Sequence, residues 1–174
     1  MAEKRKRYKT KRLVLGGMLT AVAMVLSYVE SLLPFSFGMA GIKIGLANIV
    51  SLFAMEAIGI PLAFLVLLSR ILLSSLLFSS MSTMLYSLAG GVVSFGVMLL
   101  LKKSGRFHTV GIGIAGGITH NLAQLSLAAV ILGKAIGAYL PVLWISGTVA
   151  GTAVGTAAAL LNRYLLRFAR SFSE

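Results

Sequence analysis

Six polar side chains stand within, or at the mouths of, the apolar stretches that make up most of this chain: Arg70, His120, Asn121, Gln124, Asn48 and Lys43. Two cations, an imidazole and three amides are hydrogen-bonding groups suited to an anionic or amide-bearing head group. An ionisable side chain in a membrane must face protein or water, so each is a candidate for function. Other chemistry is excluded by what is missing. All four acidic residues are glutamates (Glu3, Glu30, Glu56 and Glu174), and aspartate and cysteine are both absent. There is no thiolate for a metal or a nucleophile, no phosphate-cradling glycine-lysine loop and no His/Glu metal spacing. A diphosphate held through Mg²⁺ calls for several converging carboxylates, which solitary glutamates on different stretches do not provide. These residues therefore point to binding without catalysis, cofactor or metal.

The elements that must position these groups follow from composition. The chain is 58% hydrophobic and 11% charged, with a mean hydropathy of +0.97, far from the about 25% charged residues of soluble domains. A bilayer core of ~30 Å needs about 20 helical residues. On that ruler spans fall at 12–33, 44–58, 60–78, 83–101, 110–132 and 139–161, the second being short at fifteen residues. The expected fold is all-α, a polytopic membrane bundle of six transmembrane helices over residues 12–165, with basic tails at 1–11 and 166–174. The net charge of +12 reads as topology, not as nucleic-acid binding, because thirteen of sixteen Lys and Arg residues lie at 4–12, 102–106 and 163–170. All three clusters are cytoplasmic only if the span count is six, which places both termini inside and leaves Lys43 and Lys134 in outer loops. The same residues suit contacts to lipid headgroups.

Arg70 and His120 each lie about halfway along an outward-running span and so share a depth near the midplane. Two readings of them stay open. In one, Arg70 pairs with Glu56 or bonds to helix carbonyls and to Ser69 or Ser74, while His120 donates to a neighbouring helix. In the other they form, with Asn121 and Gln124, the polar end of a ligand cavity. Small residues recur at helical spacing in Gly147/Gly151/Gly155/Ala159 and Gly113/Gly117, a pattern that lets helix backbones approach closely in lipid. In the first span, Gly16/Thr20/Ala23/Ser27 beside Gly17/Ala21 either packs the bundle or faces a separate membrane subunit. The first outer connection, Pro34 to Asn48, is apolar, aromatic and glycine-rich; it reads either as a lid hinged at Gly38, Gly41 and Gly45 or as a re-entrant or interfacial segment anchored by Phe35 and Phe37.

Six spans, a small-residue first span, and the run from Gly41 to Ile49 followed by Gly59-Ile60-Pro61 resemble the Gx transporter family, whose members are often labelled heptaprenyl diphosphate synthase component I. That family is similar to the substrate-binding S components of energy-coupling factor (ECF) vitamin transporters, and the resemblance covers roughly residues 12–165. It implies a bacterial cytoplasmic membrane protein whose first outer loop and outward span halves hold a small vitamin-like or isoprenoid-pathway precursor. It also implies partners, namely an ECF T component and ATPase subunits, with Gly17-xxx-Ala21 in the place of the Ala-xxx-Ala pattern that docks the T component. An alternative keeps the chain as a non-catalytic accessory subunit of a prenyl synthase or of a flavoprotein or quinone electron-transfer assembly.

Overall fold

The computed structural model describes residues 2–32, 45–133 and 140–173. These form six helices: α1 (Ala2–Leu32), α2 (Asn48–Ala57), α3 (Ile60–Phe78), α4 (Met81–Ser104), α5 (Thr109–Leu132) and α6 (Leu140–Ser173). Five are long and apolar enough to cross a membrane. The exception is α2, whose ten residues reach about 15 Å, half of a hydrocarbon core. The second apolar stretch, expected to span at 44–58, is thus a half-length helix. It begins late because Gly45, at φ +89, turns the chain, and Asn48 N–H bonds the Gly45 carbonyl at 2.9 Å. It ends in a second turn at Gly59, φ +83, with Pro61 in the first turn of α3, where its missing N–H costs nothing.

The buried polar side chains lie within the bundle, and its outer surface is apolar. Leu13, Val22, Leu76, Val93, Val130, Trp144 and Val149 are exposed, whereas Glu30, Asn48, Arg70, His120, Asn121 and Gln124 are buried. Lipid satisfies apolar surfaces but no hydrogen bond, so this inversion fits a multi-pass membrane protein. At the centre lies α2, which touches every other helix and buries eight of its ten residues, Val50, Leu52, Phe53 and Met55 among them. A helix apolar on all sides belongs inside a core. Around it pack Leu19 and Ala23 of α1, Ala63, Leu67 and Ile71 of α3, Phe95 and Met98 of α4, and Ala158 of α6.

α5 and α6 meet backbone to backbone. A Cβ added at Gly151 would come 2.7 Å from the Gly113 oxygen and from Ile114 Cα, and one at Gly117 would come 2.7 Å from Gly151 Cα. The glycine ladders expected from spacing are therefore the α5–α6 seam, held by dispersion. At one end of the bundle Lys102 Nζ of α4 stands 2.9 Å from Glu56 Oε1 of α2, and Arg12 of α1 donates to the Ile58 carbonyl. Because Glu56 is engaged there, it is not the partner of Arg70. α1 and α6 continue through their basic ends, since Lys and Arg end a hydrophobic run without ending a helix.

Candidate functional site

The turn at Gly45 brings the start of α2 to the middle of α3, and Asn48 enters a layer of buried polar groups. Arg70, 3% exposed, donates from Nη1 to Ser27 Oγ of α1 at 3.3 Å and from Nη2 to Asn48 Oδ1 at 3.4 Å. Asn48 Nδ2 stands 3.5 Å from His120 Nδ1 of α5. One turn further along α5, Gln124 Nε2 stands 3.2 Å from His120 Nε2. Glu30 of α1, also buried, accepts the Gly45 backbone N–H and acts electrostatically on Arg70.

The layer is a chain of side chains from α3 through α2 to α5. Asn48 turns its oxygen to the guanidinium, so its NH₂ faces His120 Nδ1. On the other side of the ring the Gln124 side-chain amide faces Nε2. The contacts run in the order Arg70, Asn48, His120, Gln124. At its head the guanidinium holds five N–H groups, and its Nε has no acceptor among the described residues.

Gly90 of α4 makes room for this layer, and Gly91 for the apolar face of α3 beside it. A Cβ at Gly90 would come 2.8 Å from His120 Nδ1 and Cε1 and 2.9 Å from Gln124 Cγ; one at Gly91 would come 3.0 Å from Ile71 Cδ1 and 3.3 Å from Leu67 Cδ1. At Gly45 the left-handed backbone favours glycine and a Cβ would come 3.0 Å from Asn48 Nδ2.

Of the six residues singled out from sequence, Arg70, Asn48, His120 and Gln124 meet here. Asn121 is buried but faces α6, where Nδ2 donates to the Leu143 carbonyl at 3.1 Å and to Ser146 Oγ at 3.2 Å. Lys43 lies outside the described residues, as does most of the connection read as a lid. Ser74 Oγ donates to the Ile71 carbonyl at 3.3 Å. Gly17 and Ala21 are exposed on α1, with open space where a Gly17 Cβ would stand. Beside Gly17 runs a groove of about 230 Å³ between α1 and α3, lined by Gly16, Thr20, Val66 and Ser69 among others. Spacing did not single out Glu30 and Gly90. The available signals were an acidic residue one turn from Ser27 in an apolar stretch and a Gly-Gly pair in the fourth span.

The sequence profile of the family described as heptaprenyl diphosphate synthase component I matches residues 19–161. The chain belongs to that family. The matched stretch runs from the first apolar turns of α1 through most of α6, so it takes in every residue of the polar layer in this component I family member. No curated protein and no solved structure matches the chain.

Proposed function

We propose that this chain is a non-enzymatic membrane component that holds a small solute at the Arg70 layer, in the half of the bundle away from the basic ends. The observation that carries this reading is Arg70 itself. A guanidinium buried with two long bonds to neutral oxygens and a vacant Nε–H is poorly satisfied as a structural group, since buried charges ordinarily gather several short hydrogen bonds. With the basic ends cytoplasmic by the positive-inside rule, the layer belongs to the outward half. The ECF-like reading extends this: an S-component-like chain without nucleotide-binding motifs would depend on T and ATPase subunits for uphill transport, with the exposed Gly17/Ala21 face as its docking side.

The family description supports a second reading, a non-catalytic membrane subunit that anchors a soluble prenyl synthase partner. Both are tested on protein purified from its own membrane. Solute binding is tested by exhaustive detergent exchange, which should lower the unfolding temperature. Adding back the small-molecule extract of the cells should restore it in the wild type and not in Arg70→Ala, because a ligand stabilises only the state that binds it. An extract that leaves the wild type unmoved would remove the reading. Co-purifying ATPase subunits favour transport, and a co-purifying prenyltransferase favours the anchor.

A further inference from the structure

Along one side of α1 a cationic hollow runs into an apolar strip. Lys6, Arg7, Thr10 and Lys11, with Glu3 and Val14 at the ends, line a hollow of about 410 Å³. Thr10 Oγ1 donates to the Lys6 carbonyl at 3.1 Å, which leaves the cationic side chains Lys6, Arg7 and Lys11 as the donors of the hollow. They belong to the second and third turns of the helix, and three cations outnumber the one carboxylate in the lining. Arg12 is not among them, because it donates to the Ile58 carbonyl and lies over the Tyr8 ring at 5.4 Å. From Val14 the same side continues through Met18, Ala21 and Val25, at steps of three and four residues, and all four are exposed.

The dimensions are those of one membrane leaflet. Val14 to Val25 spans about 16 Å along the helix axis, half of a hydrocarbon core, and Lys11 and Arg7 precede Val14 by about 5 and 10 Å, at the level of the head groups. We propose that this side of α1 binds a lipid of the cytoplasmic leaflet whose head group ends in a phosphate monoester, with the phosphate in the hollow and an acyl chain along the strip. A terminal phosphate presents three acceptor oxygens and about −1.5 to −2 charges at neutral pH. That matches three neighbouring cations, one of them a guanidinium whose fork takes two oxygens at once. A phosphodiester has two free oxygens and a single charge, set between two ester arms, and uses the hollow less fully. The site is separate from the Arg70 layer, since Ser27, which meets that layer, lies about 30 Å further along α1 than Arg7. Ala21 belongs to the strip, so the lipid and a membrane subunit docked on that face exclude one another.

The test reconstitutes the full chain in phosphatidylcholine nanodiscs that contain either phosphatidic acid or phosphatidylglycerol at matched surface charge. The discs are then dissolved in detergent, and the lipids that stay on the protein are counted by native mass spectrometry. Phosphatidic acid should be retained at least about threefold over phosphatidylglycerol, a preference of the size that exposed ion pairs provide. The preference should vanish in Arg7→Gln/Lys11→Gln and persist in Arg163→Gln/Arg167→Gln, which removes the same charge from exposed positions of α6. Equal retention of the two lipids by the wild type, or an equal loss in both variants, would reduce the hollow to the general attraction of a basic surface for anionic membranes and overturn the proposal. Inorganic phosphate should not displace the lipid; if it does, the strip takes no part and the ligand is a free phosphate, which also overturns it. Should Arg7→Gln/Lys11→Gln fail to fold, the lipid preference of the wild type and the phosphate competition decide alone.

Discussion

Replacing Gly90 by alanine perturbs the polar layer without altering a polar atom. The new Cβ would stand 2.8 Å from two atoms of the His120 ring and 2.9 Å from Gln124 Cγ, where ordinary contact begins near 3.4 Å. The ring must give by about 0.6 Å, and overpacking of this kind costs ~1–3 kcal/mol. It has little room to give, because its Nδ1 contact to Asn48 is already 3.5 Å long. Losing that contact adds ~0.5–1.5 kcal/mol, so Gly90→Ala should destabilise the bundle by about 1.5–4.5 kcal/mol. Gly96 lies on the same helix with nothing within 4 Å of its Cβ position, and Gly96→Ala is the matched control, expected within about 0.5 kcal/mol of wild type or slightly stabilised. The assay is equilibrium unfolding in mixed micelles, read by helix content. Equal stability of the two variants would refute the packing of His120 against Gly90.

Gly151→Ala should cost at least ~1–3 kcal/mol in the same assay, because its Cβ meets backbone of α5 that no rotamer can move. Gly17→Ala, which meets open space, should leave stability within about 0.5 kcal/mol; a loss as large as that of Gly151→Ala would show that α1 packs differently. Glu56→Gln should cost no more than ~1 kcal/mol and lose even that in high salt, since its pair with Lys102 is 24% and 31% exposed. Cysteines introduced singly at positions 104 and 134 of this cysteine-free chain should be labelled from outside intact cells only at 134; labelling at 104 alone would invert the topology. The purified chain, given allylic diphosphate, isopentenyl diphosphate and Mg²⁺, should form no prenyl product; product that vanishes in Glu56→Gln would restore a catalytic reading.

The helices were legible because lipid imposes one rule on length and hydropathy, and α3 and α5 start and stop within a residue of the expected 60–78 and 110–132. The ends of α1 and α6 were not, since hydropathy stops at a charge while helix propensity does not. α2 misled in length because a buried core helix is as apolar as a short membrane span, and the turn at Gly45 that shortens it depends on tertiary contacts. The seam between α5 and α6 was readable from glycine spacing. Within the polar layer, periodicity alone placed His120, Asn121 and Gln124 inside the bundle. It could not say that two adjacent positions part company, with His120 turning to α2 and α4 while Asn121 turns to α6. Nor could spacing choose between acids for Arg70: Glu56 lies nearer in sequence, yet helix direction carries it to the opposite end, where Lys102 meets it.

The most direct test of the account is native mass spectrometry of the wild-type chain released from micelles, beside Arg70→Ala shown to be folded and monodisperse. The expected result is a stoichiometric small-molecule adduct on the wild type that is missing from the variant. A bare mass in both, or an adduct that the variant keeps in full, would contradict the claim that the buried Arg70 layer is a binding site.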